Sequence, residues 1–216
     1  MIPTIIQFKA SSKSHHELSN LYGGAEFTYM AQRTKNPALR KLYLILSDIE
    51  MDYEQFKCYH GRLAPAKRRE YKKNPNKKGH YLKHYSKGDP DSIARGILAK
   101  LISGCWRVTM KARLKVVNAI AKELLGSQYE VICHGDFIDG SKEQKLEWMW
   151  RSLELKFSKP RYRDLLLSTG TSKLIEQSGR GKDNWSGPEG WLGRLLMQLR
   201  EKLRHKNDLY NDKLTF

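Results

Sequence analysis

Cysteine is scarce in this chain. Its three cysteines, Cys58, Cys105 and Cys133, lie far apart without the paired spacing of a zinc site. They read as reduced thiols of an intracellular protein. Cys133, His134 and Asp136 form one small group of metal-ligating types, but no second cluster supports it, so a loop cysteine is expected and no metal is assigned. No apolar run approaches the ~20 residues needed to cross a bilayer. The start, Met1-Ile2-Pro3-Thr4-Ile5-Ile6-Gln7-Phe8, lacks the long apolar run and cleavage site of a signal peptide. A soluble, cytoplasmic protein with no membrane partner is the expectation. Acidic residues are also in deficit, with 23 Asp+Glu against 40 Lys+Arg and a formal charge of +17. That excess is larger than solubility requires and points to a polyanionic partner.

The densest basic stretch is Lys67-Arg68-Arg69-Glu70-Tyr71-Lys72-Lys73, continued by Asn74-Pro75-Asn76-Lys77-Lys78-Gly79-His80-Tyr81. Lys67, Arg68, Arg69, Lys72 and Lys73 suit a phosphate backbone, with bases stacking on Tyr71 or Tyr81. A solvated insertion is an equally open reading. At 216 residues the chain is long enough for one domain with a substantial core and too short for two well-built ones. We expect that domain over residues 1–206, with a basic insertion at about 60–90 and a polar tail over 207–216.

Apolar periodicity predicts a mainly α fold, a single compact helical domain with a small N-terminal β element. Thr4-Ile5-Ile6-Gln7-Phe8-Lys9 is the β-rich run. A helix from about Ala25 is interrupted at Pro37, and Ala38, Leu39, Leu42, Tyr43, Ile45 and Leu46 recur at helical spacing after it. Ile93, Ile97, Leu98, Leu101 and Ile102 mark another face; Met110, Leu114, Val117, Ala121 and Leu124 mark the next, ended by Gly126. Helices are expected over Gln144 to Phe157, Arg161 to Leu167 and Leu192 to Leu203, with a short turn helix after Ser172.

The rest of the chain is organised around Leu18 to Arg33, where small polar residues, a Gly pair and one carboxylate meet at a turn-to-helix junction. Ser19 and Asn20 are turn and cap residues, and Gly23-Gly24 allows positive φ or a close approach to a ligand. Glu26 then falls in a first helical turn, where the dipole favours a carboxylate and free backbone N–H groups can hold a phosphate. Read structurally, it is a helix-start glutamate and no more.

Leu18-Ser19-Asn20-Leu21-Tyr22, followed by Glu26-Phe27-Thr28-Tyr29-Met30-Ala31-Gln32-Arg33, resembles the NADAR family, whose members carry a Ser-Asn-Phe-Tyr-like turn and a Glu-His-x-Tyr-x-Ala-x-Lys helix. The C-terminal third agrees in order and spacing. Met149 with Leu155-Lys156-Phe157, Leu165 to Gly170, Lys173-Leu174-Ile175-Glu176, Asp183-Asn184-Trp185 and Leu192 to Arg200 each resemble a short family motif. The chain departs from the pattern at Arg33 for the usual Lys, Phe27 for His, an Asp two residues before Trp185, and Ser141 where a Trp is usual. Glu54 in Glu54-Gln55-Phe56 is a rival for the family Glu, but Glu26 keeps the Ser-Asn-x-Tyr lead and the whole continuation.

The resemblance implies cleavage of an N-glycosidic bond to a phosphorylated ribose, with Glu26 and Asp183 as catalytic residues. Departure of a base leaves positive charge on the anomeric carbon and ring oxygen, which a fixed carboxylate stabilises while it assists proton transfer. Ser19, Asn20, Gly23 and Gly24 would position ribose hydroxyls or a pyrophosphate, and Tyr22 and Trp185 would offer a stacking surface or a hydroxyl. Arg33, at i+7 from Glu26, would bind phosphate bidentately. If the family Lys acts as an attacking amine, Arg33 cannot replace it, and Lys35 or Lys100 would be candidates. No cofactor is implied; ADP-ribose is the product.

The implied activity is removal of ADP-ribose from guanine in single- or double-stranded DNA, reversing a mark of the kind written by a DarT-like toxin, its functional partner. The alternatives are an N-glycosidase for a ribosylated pyrimidine of the riboflavin pathway and a non-catalytic module that binds ADP-ribose or nucleic acid. The large positive charge favours the nucleic-acid substrate.

Overall fold

The computed structural model describes residues 4–8, 15–19, 22–48, 53–63, 93–103, 111–127, 129–177 and 185–211. Among these the chain is mainly helical, with eight α-helices and one small parallel sheet of two strands. The expected 1–206 domain is built as two compact units, one of residues 1–20 with 149–216 and one of residues 21–148. Among the described residues no helix is long and apolar enough to cross a membrane.

The 21–148 unit holds α1 (Ala25–Gln32), α2 (Pro37–Asp48), α3 (Tyr53–Leu63), α4 (Ile93–Ser103) and α5 (Lys111–Leu125). Helix α1 packs on α2 and α4, while α5 packs on α2 and α3. Phe27, Leu39, Leu42, Tyr43, Leu98, Ile102 and Val117 fill the interior between them. The break at Pro37 is a new start: Asn36 Oδ1 accepts the Leu39 N–H at 2.9 Å, and Pro37 takes the first helical position, where no N–H is needed. Two asparagines then fasten the segment that follows α5. Asn118 donates to the Ile132 carbonyl at 2.8 Å and accepts the Ile132 N–H at 2.9 Å, and Asn36 donates to the Val131 carbonyl and to Asp136 Oδ2, each at 3.1 Å. Thr34 and Phe137 form an antiparallel bridge, and the Ile138 N–H reaches the Arg33 carbonyl at 2.8 Å. Residues 133–139 are thereby laid against the end of α1.

In the other unit β1 (Ile5–Phe8) pairs in parallel with β2 (Lys173–Glu176), in register from Ile5 on Lys173 to Phe8 on Glu176. The short turn helix expected after Ser172 is therefore corrected to a strand. Leu174 and Ile175 are both buried, and the edge that faces β1 finds its hydrogen bonds in a strand far away in the chain: the Lys173 N–H donates to the Thr4 carbonyl at 2.8 Å and the Gln177 N–H to the Phe8 carbonyl at 2.7 Å. The later part of α6 (Lys142–Phe157), α7 (Pro160–Ser168) and α8 (Trp191–Asn211) complete this unit. Met149 is core and Trp150 half-buried, with Lys202 Nζ 5.5 Å from the Trp150 ring; Trp148, half-buried too, belongs to the 21–148 unit.

Lys156 of α6 is 1 % exposed. Its ammonium donates to the Glu17 carbonyl and, at 2.7 Å, to the Ser19 carbonyl, and it lies about 5 Å from the ring centres of Phe157 and Tyr162. Oriented carbonyls and ring faces thus replace the water the cation loses. Arg200 of α8 is buried in the same manner, donating to Thr169 Oγ1 at 2.8 Å and the Ser172 carbonyl at 2.9 Å.

Helix α8 crosses β2 at Gly193, where a Cβ would stand 2.2 Å from the Leu174 carbonyl oxygen. Backbone cannot yield there as a flexible side chain would. Gly193→Ala should lower unfolding free energy by about 1–3 kcal/mol through overpacking, measured by chemical denaturation; an unchanged midpoint would contradict the close crossing.

Candidate active site around Glu26

Helix α1 opens on two glycines in the left-handed region, Gly23 at φ 70° and Gly24 at φ 77°. Nothing lies within 4 Å of a Cβ built on Gly24, so conformation rather than space calls for glycine there. Thr28 Oγ1 bonds back to the Gly24 and Ala25 carbonyls at 3.3 and 3.1 Å, tightening the first turn. Glu26 occupies that turn and is 1 % exposed, flanked in sequence by the buried Ala25 and Phe27.

A carboxylate removed from water favours its neutral form. Burial pushes the Glu26 carboxyl above its ordinary value of 4.5, while Lys100 and then Arg33 pull it back without cancelling the rise. The Lys100 ammonium, on α4, stands 3.9 Å from Glu26 Oε2. Beside them Tyr29 is pushed up to about 12, chiefly by burial, then lowered by Arg33 and raised by Glu26 and Asp139.

Arg33 ends α1 and contributes to the Glu26 environment, as its position on the same face predicts. Its guanidinium is engaged by protein: Nε donates to the Ile138 carbonyl at 3.2 Å, Nη2 pairs with Asp139 Oδ1 at 3.3 Å, and Cζ lies 5.4 Å from the Tyr29 ring centre. Lys145 reaches the same Asp139 oxygen at 3.0 Å. The bidentate phosphate contact expected of Arg33 would have to displace these bonds. Of the two alternative lysines, Lys100 is the one beside Glu26, whereas Lys35 is exposed and its backbone N–H is bonded to the Asp136 carbonyl at 2.8 Å.

The remaining expected site residues divide between the units. Tyr22 is half-buried and Gly23 buried in the same unit as Glu26. Ser19 and Trp185 belong to the other unit. Ser19 is 1 % exposed, with its carbonyl on Lys156, and Trp185 packs edge to face on Trp191, ring centres 5.1 Å apart. The Leu192 N–H also donates to the Trp185 carbonyl at 3.2 Å, so Trp185 helps to seat the start of α8. Asn20, Lys67, Arg68, Arg69, Tyr71, Lys72, Lys73, Tyr81 and Asp183 lie outside the described residues. Cys133 is exposed, and among the described residues no group of three or more His, Cys, Asp or Glu is placed to hold a metal ion.

No family model, curated protein or solved structure matches this chain. A buried carboxyl biased toward its protonated form beside a half-exposed ammonium is equipped to give and take a proton and to stabilise a nearby cation.

Because the folded protein holds the Glu26 proton more tightly than the unfolded chain does, this group favours folding at low pH. Its contribution is lost as pH rises from 4.5 through the higher folded value. Glu26→Gln removes that dependence. In unfolding titrations the variant should gain on wild type as pH rises above 4.5 and show least advantage below it. Parallel pH profiles for the two proteins would contradict a raised carboxyl.

Proposed function

We propose that this protein is an N-glycosidase of the NADAR kind that hydrolyses ADP-ribose from guanine bases of nucleic acid, with Glu26 as its reacting carboxyl. The observation that carries the proposal is the burial of Glu26 in the first turn of α1, biased toward its protonated form, with the Lys100 ammonium 3.9 Å away. As the bond from the anomeric carbon to guanine nitrogen breaks, the electron pair leaves with the base and Glu26 supplies the proton the base needs. The resulting carboxylate faces the positive charge on the ribose. Water then attacks the anomeric carbon and its proton returns to Glu26, so the sum is one water consumed, with free ADP-ribose and unmodified guanine released.

The +17 charge supports a polyanionic substrate over a small ribosylated pyrimidine. Repair of DNA marked by a DarT-like toxin, in the cytoplasm, is the setting this chemistry fits. Incubation with guanine-ADP-ribosylated single-stranded DNA, without added metal, should release ADP-ribose and restore guanine, both read by mass spectrometry. Glu26→Gln should abolish release while leaving binding intact. Full activity in that variant would remove Glu26 from the mechanism. Tight binding without turnover by wild type would favour the non-catalytic module, and neither binding nor release would favour the ribosylated pyrimidine.

A further inference from the structure

We propose that the Lys100 ammonium is the phosphate contact of this site, holding a phosphate group of the substrate beside the Glu26 carboxyl. The identity of that substrate as an ADP-ribosyl group rests on the glycosidase reading; the anion contact itself does not.

Three observations lead to it. Lys100 Nζ is 3.9 Å from Glu26 Oε2, close enough for attraction and longer than a hydrogen bond. Among the described residues no hydrogen bond from this ammonium is found, and an ammonium carries three donors that a phosphate can accept. The side chain is 50 % exposed, whereas Arg33 is 17 % exposed and bonded to Ile138 and Asp139. Burial shifts Glu26 toward its neutral form, and the more that form is populated the more of the Lys100 charge is left for an anion.

Lys100 faces Glu26 from α4, Arg33 and the Tyr29 hydroxyl from α1 itself, and α2 keeps the cations Arg40 and Lys41 exposed. A phosphate held by Lys100 sets negative charge next to the carboxyl and strengthens its hold on a proton. Substrate binding would therefore load the acid that the leaving base requires.

The test is calorimetric titration of wild type with inorganic pyrophosphate and with ADP-ribose, in buffers of different ionisation heat, with adenosine as the phosphate-free comparison. Both phosphates should bind with net proton uptake, and adenosine should bind far more weakly. Lys100→Met should weaken both by about tenfold or more, as expected for one charge-assisted contact, while Lys100→Arg recovers most of the affinity and Lys41→Met changes nothing. Glu26→Gln should bind both phosphates without the proton uptake. Should Lys100→Met fail to fold around an uncompensated carboxyl, Glu26→Gln/Lys100→Met lacks that burden, and its affinity against Glu26→Gln asks the same question. Pyrophosphate binding that is absent in wild type, or equal with and without Lys100, would overturn the proposal. Failure of the glycosidase reading looks different: phosphate binding stays dependent on Lys100 while no ADP-ribose is released.

Discussion

Burying a carboxyl at the start of α1 is the constraint on which the 21–148 unit turns. Full burial of an isolated carboxylate is prohibitive, so the group must be neutral, paired or both. Here it is biased toward neutrality, with the Lys100 ammonium 3.9 Å away and half in water and Arg33 also pulling its pKa down. The other unit buries charges of opposite sign and answers them differently. Lys156 and Arg200 are met by backbone carbonyls and a threonine hydroxyl, which fixes the turn at Glu17–Ser19 and the loop at Thr169–Ser172. Those cations are structural ties with their donors spent on protein. The Lys100 ammonium stands 3.9 Å from Glu26 Oε2, longer than a hydrogen bond, and this is the pair that the proposed chemistry would use.

Local features were legible in the sequence and distant pairings were not. The Gly23-Gly24 junction, the helix restart at Pro37 and the stop at Gly126 depend on backbone preferences of neighbouring residues, and each is found where expected. Lys173 to Glu176 misled because four residues are too few to show a period; its identity as a strand is set by Ile5–Phe8, which no local pattern reveals. The same limit hid the partners of Arg33. Spacing placed it on the Glu26 face, but its bonds to Ile138 and Asp139 cross more than a hundred residues. Lys100 was legible only as one of two alternative amines, and its proximity to Glu26 required the packing of α4 on α1.

Charge and chemistry operate at different scales in this protein. The excess of lysine and arginine attracts polyanions in general, by a long-range force that selects no particular bond. On the proposed glycosidase reading, choice of the bond to be cleaved would fall to a few buried groups, where short distances and low polarity strengthen each charge interaction. The two roles need not share residues, and the cations engaged with Glu26, Arg33 and Lys100, are a small fraction of the total.

The most direct measurement is the titration midpoint of the Glu26 carboxyl in the free protein, followed by carbon NMR of carboxyl-labelled glutamate and assigned by loss of the signal in Glu26→Gln. A midpoint above 4.5 is expected, because burial outweighs the attraction of Lys100 and Arg33. A midpoint at or below 4.5 would mean that the carboxylate is the resting form, and Glu26 would then not be the acid that protonates the leaving base.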